Sequence, residues 1–481
     1  MVSREELKTN FKKNGRIAIV GASLAGLRAA ETLRREGFEG KLTVIGDEPY
    51  EPYDRPPLSK QVLSGWVKAD HTTLPRLHNL DDVEWKLGVA ATGLDIRNRQ
   101  VKLADGQSVD FHRLLIATGV RARPWPKKEE AALDGVFVVR TCDDAQRLQE
   151  RLDSKPRHVL VIGAGFTGSE IASVCRDRGL TVTVTERSEA PLIGALGATI
   201  GSIAGELQRQ HGVDLRCNTT VIALEGDAQG RLRRARLSDG TTLDVDTAVV
   251  ALGSIRNTEW LRGSGLAAGQ LGVACDAGCR AFDLNGIVTD DIFVAGDVAR
   301  FPHPLYGYQL IALEHWGNAL NQAEVAAHNM VNNEADRRPH ISVSAFWSIQ
   351  FGVNIKSVGL PPFATDVAIM QGSVEQHRFV AAYGYKGRTV AAVSVDHGRW
   401  LPYYEKQIAS AAPFPPSAPA YDNPAPIHVM PANFPRSGVP STTPTIALTG
   451  HVPGELRATY LEPSPMTPEK AVTESPAEHK V

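Results

Sequence analysis

Cysteine, net charge and long apolar runs are all scarce in this chain of 481 residues. Its five cysteines, Cys142, Cys175, Cys217, Cys275 and Cys279, are odd in number and scattered, so no disulfide framework is expected. Cys275 and Cys279 stand near each other, but no second Cys or His cluster accompanies them, and a zinc site needs four soft ligands. No metal is expected. The formal net charge is only -2, so a global field for polyanions is missing and nucleic acid is not expected as a partner. No uninterrupted apolar run is long enough to cross a bilayer, and membrane insertion is not expected. Met1 to Gly15 is charged and lacks an apolar centre, so no signal peptide is expected and the chain reads as cytoplasmic.

What the chain has is glycine in a particular arrangement. Gly21-Ala22-Ser23-Leu24-Ala25-Gly26 follows the apolar run Ile17 to Val20, and Gly163-Ala164-Gly165-Phe166-Thr167-Gly168 follows Val159 to Ile162. Each runs into an Ala-, Glu- and Arg-rich helix. Glycine is needed where the chain turns tightly and where backbone must approach a pyrophosphate, which rests on the N–H groups of the helix N-terminus. One such turn is a weak signal. Two, each with an acid about twenty residues on (Asp47 or Glu48, then Glu186), indicate two nucleotides on one protein. The Glu186 carboxylate can accept both hydrogen bonds of an adenosine ribose diol and would repel a 2′-phosphate, so NADH is expected over NADPH. Arg187 beside it could swing toward a 2′-phosphate; its alternative is a solvated loop arginine.

The length suits two or three domains. A βαβ unit spans Arg16 to Gly46, a hairpin turns on Asp105-Gly106, and Leu114 to Gly119 is a buried strand ending in small residues. The plan then repeats: a βαβ unit from Arg157 to Glu186, a hairpin around Asp239-Gly240, and the strand Ala248 to Gly253. An internal duplication of dinucleotide domains is the economical reading. Residues 340–408 alternate in the manner of antiparallel strands of a small α+β domain. Beyond Ala411 lie fifteen of the 30 prolines, with Ser, Thr and Ala and little periodicity. Such a stretch cannot bury enough apolar surface to order itself, and a disordered Pro-rich tail is expected over 411–481.

Two further segments carry chemistry. In Arg55-Pro56-Pro57-Leu58-Ser59-Lys60 the prolines fix the backbone and launch a helix, which could place Lys60 beside a cofactor. Read alone, the segment fits a capped surface helix with a solvated lysine equally well. In Asp291 to Ala299 an apolar strand ends in Gly296-Asp297. Asp297 can accept from a ribityl hydroxyl, while the helix N-terminus after it offers partial positive charge to a flavin's pyrimidine edge. The plainer reading is a helix cap. The distance of this segment from the first glycine motif implies that one nucleotide domain is split around the other.

In order, the chain thus shows Gly-x-Ser-x-x-Gly, Arg-Pro-Pro-Leu-Ser-Lys, Ala117-Thr118-Gly119, a second Gly-x-Gly-x-x-Gly, Ala295-Gly296-Asp297 and Glu314-His315-Trp316. In this combination it resembles the FAD-dependent NAD(P)H ferredoxin reductases of the putidaredoxin reductase and aromatic dioxygenase type, over residues 15 to 405. The resemblance implies an α/β fold with two Rossmann-like domains, FAD on 14–122 and 252–332, NADH on 123–251, and a C-terminal α+β domain over 338–408. It implies FAD contacts from Gly21, Ser23, Ala25, Gly26, Asp47, Glu48, Arg55, Lys60, Ala91, Thr118, Gly119, Asp297, Val298 and Trp316. For NADH it implies Gly163, Gly165, Gly168, Glu186 and Gly253. Lys60 would lie near flavin N5 and pair with Glu170, as catalytic residues; without the resemblance Glu170 reads as a solvated helix residue and Trp316 as core.

Disulfide reductases of this architecture carry a Cys pair where this chain has Arg-Pro-Pro-Leu-Ser-Lys, so a thiol mechanism is excluded and electrons must pass outward. Hydride is expected to move from NADH to FAD, and single electrons to an iron–sulfur ferredoxin serving a cytochrome P450 or ring-hydroxylating oxygenase, from a monomer or weak dimer. The alternatives are an NADH dehydrogenase with a quinone-like acceptor and a redox-sensing flavoprotein resembling apoptosis-inducing factor. Two departures stand out. Ser23 replaces the middle glycine of the first motif, which a small side chain permits, and Ile349 stands where the family has an Asp.

Overall fold

The computed structural model describes residues 4–76, 80–417 and 426–433, and the backbone of Thr445–Thr449 and Arg457–Leu461. The apolar runs become strands buried on both faces, as parallel sheets require. Arg16–Val20, Lys41–Ile45 and Glu84–Lys86 lie side by side in parallel, with Arg113–Ile116 on the other flank of the first. Val288–Val294 then pairs parallel to Arg113–Ile116, Ile292 opposite Leu114, and Arg280–Phe282 closes the sheet antiparallel. This six-stranded sheet therefore draws strands from two distant parts of the chain.

Between them sits a second, five-stranded sheet, in which Asp214–Arg216, Val182–Thr185, Val159–Ile162, Thr247–Val250 and Val136–Phe137 all run parallel. Each unit carries its own three-stranded meander, one over Ala91–Asp95, Gln100–Leu103 and Ser108–Asp110, the other over Val221–Gly226, Leu232–Leu237 and Thr242–Asp244. The chain crosses between the units along Val120–Ala122 and Ser254–Arg256, which pair with each other. The expected α/β fold, one dinucleotide-type unit split around another, is the fold the chain adopts.

The third unit is an antiparallel sheet ordered Ala345–Gln350, Val353–Gly359, Arg388–Val395, Arg378–Tyr385, Asp366–Ser373 and Val429–Pro431, with the helix Leu401–Ala409 packed on it through Tyr404 and Ile408. Its last strand differs from the expectation. Composition places the start of a disordered tail at 411, yet the described part of that stretch is built into the fold. Phe414 covers Gly384 and its N–H bonds the Gly387 carbonyl, and Val429–Pro431 adds a strand to an open edge. Pro431 is tolerated because it ends an edge strand, where its missing N–H removes no inner ladder bond. Residues 418–425, 434–444, 450–456 and 462–481 of the expected tail lie outside the described residues. Among the described residues no helix is long and apolar enough to cross a membrane.

Candidate active site

The first and last glycines of both motifs are dictated by packing. Gly21 has φ +123°, and a Cβ on it would stand 2.1 Å from the Ala117 carbonyl oxygen; at Gly26 it would stand 1.9 Å from that of Gly21. The second motif repeats the arrangement, with Gly163 against the Ala251 carbonyl at 2.5 Å and Gly168 against that of Gly163 at 2.0 Å. The middle position is different. Ser23 and Gly165 are the N-caps of Leu24–Arg35 and Phe166–Asp177, neither supplies a side-chain cap, and a Cβ on Gly165 would meet nothing within 4 Å. Helix N–H groups left open beside empty space fit an anionic ligand, and both turns fit a dinucleotide pyrophosphate.

The first motif opens onto a cleft of about 380 Å³. Gly21, Ser23, Ala25, Asp47, Glu48, Arg55, Lys60, Thr118, Gly119, Glu170, Asp297 and Trp316 all line it. Of the two acids, Glu48 is already engaged: its Oε1 accepts from Arg55 Nη2 and its Oε2 from the Tyr53 hydroxyl, both at 2.5 Å. Arg55 Nη1 also donates to Tyr53 Oη and to the Arg140 carbonyl. Burial pushes the Tyr53 phenol far above its usual range, so it stays a donor to Glu48. Asp47 is exposed and makes no side-chain hydrogen bond among the described residues, which leaves its oxygens open to a ribose.

The floor of the cleft is an ion pair. Pro56–Ser59 forms one short turn with both prolines at its start, and Lys60 caps it. Lys60 Nζ reaches Glu170 Oε2 at 2.7 Å, with side chains 13% and 6% exposed. Ser59 Oγ donates to the same oxygen at 2.5 Å, and Ser348 Oγ to Oε1 at 2.7 Å. Glu170 is therefore a buried, fully partnered carboxylate joining the first unit, the second glycine-rich helix and the C-terminal sheet.

Asp297 pairs with Arg140 Nη2 at 3.0 Å, and Arg140 Nε donates to the Val120 carbonyl. At the mouth, Trp316 donates its indole N–H to Asp54 Oδ1 at 2.9 Å and meets Trp347 edge-on, ring centroids 6.0 Å apart. Trp316 lies at the surface of the cleft, not in the core. Burial raises the Asp54 carboxyl above its usual range, and burial also holds His315 down to about 4 and so neutral, with Nδ1 2.5 Å from Ser344 Oγ.

Three expected contacts are not on the cleft. Gly26 packs under Gly21, Val298 is fully buried, and Ala91 is half-buried at the start of the first meander. Gly163, Gly165, Glu186 and Gly253, on loops, and Gly168, in the first turn of Phe166–Asp177, stand apart at the second unit. There Glu186 accepts from the N–H groups of Ala164 and Ser188 at 2.9 and 2.8 Å, which aims its carboxylate across the glycine turn. Reading the sequence missed Arg140, Asp54, Phe166, Ser348 and Trp347, which line the cleft or complete its ion pair. For Ser348 and Trp347 a signal existed in the alternation of Ala345–Gln350; for Arg140, which meets an Asp on the far side of the insert, there was none. No cysteine lines the cleft.

The sequence profile described as pyridine nucleotide-disulphide oxidoreductase matches residues 15–327, and that described as reductase C-terminal matches 345–427. Rhodocoxin reductase of Rhodococcus erythropolis is 32% identical over 406 residues, covering 84% of this chain and 92% of that protein. The benzene 1,2-dioxygenase system ferredoxin–NAD(+) reductase subunit of Pseudomonas putida is 32% identical over 348 residues, 71% of this chain and 80% of its own. The crystal structure of the covalent putidaredoxin reductase–putidaredoxin complex matches with a TM-score of 0.76 at 28% identity, over 83% of this chain and 94% of that one.

Proposed function

The chain belongs to the pyridine nucleotide-disulphide oxidoreductase family, and from that premise we propose that it is an FAD- and NADH-dependent ferredoxin reductase whose residues divide the work as follows. Residues 14–122 and 252–332 hold FAD, residues 123–251 hold NADH, and 338–408 form the third wall. Gly21 to Ala25, Asp47, Arg55, Thr118, Gly119, Asp297 and Trp316 are the flavin contacts, and Gly163, Gly165, Glu186 and Gly253 are the nicotinamide-nucleotide contacts. Bound FAD supplies the acceptance of a hydride from NADH and the release of single electrons to an iron–sulfur partner.

The observation that carries this reading is the Lys60–Glu170 pair in a cleft that no cysteine lines. Lys60 presents a fixed positive charge where negative charge must accumulate. Glu170 holds the ammonium in one place, and the two serine hydroxyls on Glu170 keep that carboxylate from turning away. No side chain need move a proton in the hydride step. With no thiol to receive electrons they leave the molecule, to a ferredoxin that feeds a cytochrome P450 or a ring-hydroxylating oxygenase. One relative named above is the reductase of a benzene dioxygenase system, which supports that destination.

The test is cytochrome c reduction by NADH with and without an added iron–sulfur ferredoxin. The purified protein should be yellow, release its flavin on acid precipitation, and reduce cytochrome c only when ferredoxin is present. Equal rates without ferredoxin, with a quinone as the preferred acceptor, would make it an NADH dehydrogenase instead.

A further inference from the structure

The proline-rich stretch after the C-terminal domain has no part in the reading above, yet residues 429–433 sit at a joint between two units. Val429–Pro431 pairs with Asp366–Ser373, and the Ala432 N–H bonds the Thr365 carbonyl at 2.9 Å. Facing them is the helix Ile193–Gln210 of the second unit, which breaks at Gly197 (φ 75°, ψ 169°). A break of that kind starts a new helix N-terminus, whose first N–H groups have no acceptor in their own chain segment. The extension provides acceptors. Asn433 Oδ1 accepts from the Ala198 N–H at 3.3 Å, the Ala432 carbonyl accepts from the Thr199 N–H at 3.3 Å, and Thr199 Oγ1 donates to the Pro431 carbonyl at 2.6 Å. Only glycine allows this approach, because a Cβ on Gly197 would stand 2.5 Å from the Ala432 oxygen. The break and its clasp are matched parts.

The same segment reaches the nucleotide loop at its other end. The Leu192 N–H donates to the Ala164 carbonyl at 2.9 Å, inside the second glycine turn. Ala195 and Leu196 bond back to the Leu192 carbonyl, making one isolated helical turn. Its last carbonyl, that of Leu196, accepts from the buried Tyr383 hydroxyl of the C-terminal sheet at 2.7 Å. Residues 192–199 therefore run as a short tie from the loop at 163–168 to the C-terminal sheet and the extension.

We propose that Asn433 is a positioning residue for NADH: by closing the break at Gly197 it fixes the tie, and through it the glycine loop. The proposal rests on the assignment of that loop to NADH and adds a role for the extension. The experiment compares the full-length holoprotein with Asn433→Ala, Asn433→Asp (which keeps an acceptor oxygen) and Thr199→Val, by steady-state NADH kinetics and by hydrogen exchange of the 198 and 199 amides. Asn433→Ala should raise the KM for NADH about two- to tenfold, the equivalent of one lost hydrogen bond, with kcat and FAD content unchanged. Thr199→Val should move KM the same way, Asn433→Asp should restore it, and both amides should exchange faster in Asn433→Ala. Wild-type KM in both Asn433→Ala and Thr199→Val, or an Asn433→Asp variant as poor as Asn433→Ala, overturns the proposal. A wild-type protein that NADH cannot reduce would instead overturn the functional reading itself.

Discussion

Among the described residues Lys60 is the one cation that Glu170 meets at close range, and two hydroxyls supply the rest of its partners. Lys60→Met would leave that carboxylate buried on serines alone. It should destabilise the fold by about 1–3 kcal/mol in urea titrations, and stopped-flow flavin reduction by NADH should slow while FAD stays bound. A wild-type reduction rate would remove Lys60 from the mechanism. Glu186 is set up differently, since its oxygens already accept two backbone N–H groups, at Ala164 and Ser188. Glu186→Ala should therefore lower kcat/KM for NADH more than for NADPH and also loosen the turn. An unchanged NADH to NADPH ratio would contradict its assignment to the ribose. At this scale the sequence was only partly legible. Nothing local distinguished a solvated Glu170 from a buried one, because its burial is made by Ser348 from another unit. The resemblance to a family, not the residue's own surroundings, suggested the pair.

Among elements, the two glycine turns were the most legible, because steric exclusion acts over a few residues and leaves its mark in sequence. The structure splits their glycines into two kinds. Gly168→Ala forces a Cβ to 2.0 Å from the Gly163 carbonyl and should unfold the second unit at lower temperature. Gly165→Ala meets nothing within 4 Å, so its melting temperature should match wild type while the KM for NADH rises. If Gly165→Ala changes neither, the open space at that turn does not hold the nucleotide. The strand Val429–Pro431 was not legible. Its pairing depends on the free edge that Asp366–Ser373 offers, which is a property of a distant segment, whereas composition reports only on the segment itself. Arg140 escaped for the same reason, because its partner Asp297 belongs to the other unit and lies far along the chain.

At the scale of the whole molecule, burial that disfavours the charged form of histidine makes a contribution to stability that acid removes. His340 is 2% exposed, its Nε2 lies 2.9 Å from the Asn318 Oδ1, and burial with the neighbouring His303 holds it down to about 4. A group with its folded value below the unfolded 6.5 binds more protons when unfolded, so its contribution is complete above pH 6.5 and is lost as pH falls toward 4. At pH 5 the loss from this one group is roughly 2 kcal/mol. Urea midpoints should drop between pH 7.5 and 5, and His340→Gln should flatten that drop. An identical pH slope in the variant would show that His340 does not titrate in this window.

The ladder of Val120–Ala122 with Ser254–Arg256 brings together the two places where the chain leaves its first unit and comes back, and the Arg123 N–H on the Gly253 carbonyl seals them at 2.9 Å. An insert whose ends touch asks its host for no more than a gap between neighbouring residues. The flanking strands already pair antiparallel across that gap, Ala122 opposite Ser254, so a short turn would rejoin them. The intervening unit is in that sense a cassette. Exchanging it for one of another nucleotide preference should change the electron donor while FAD stays bound, provided the new unit keeps Glu170 and Arg140, which the insert lends to the cleft.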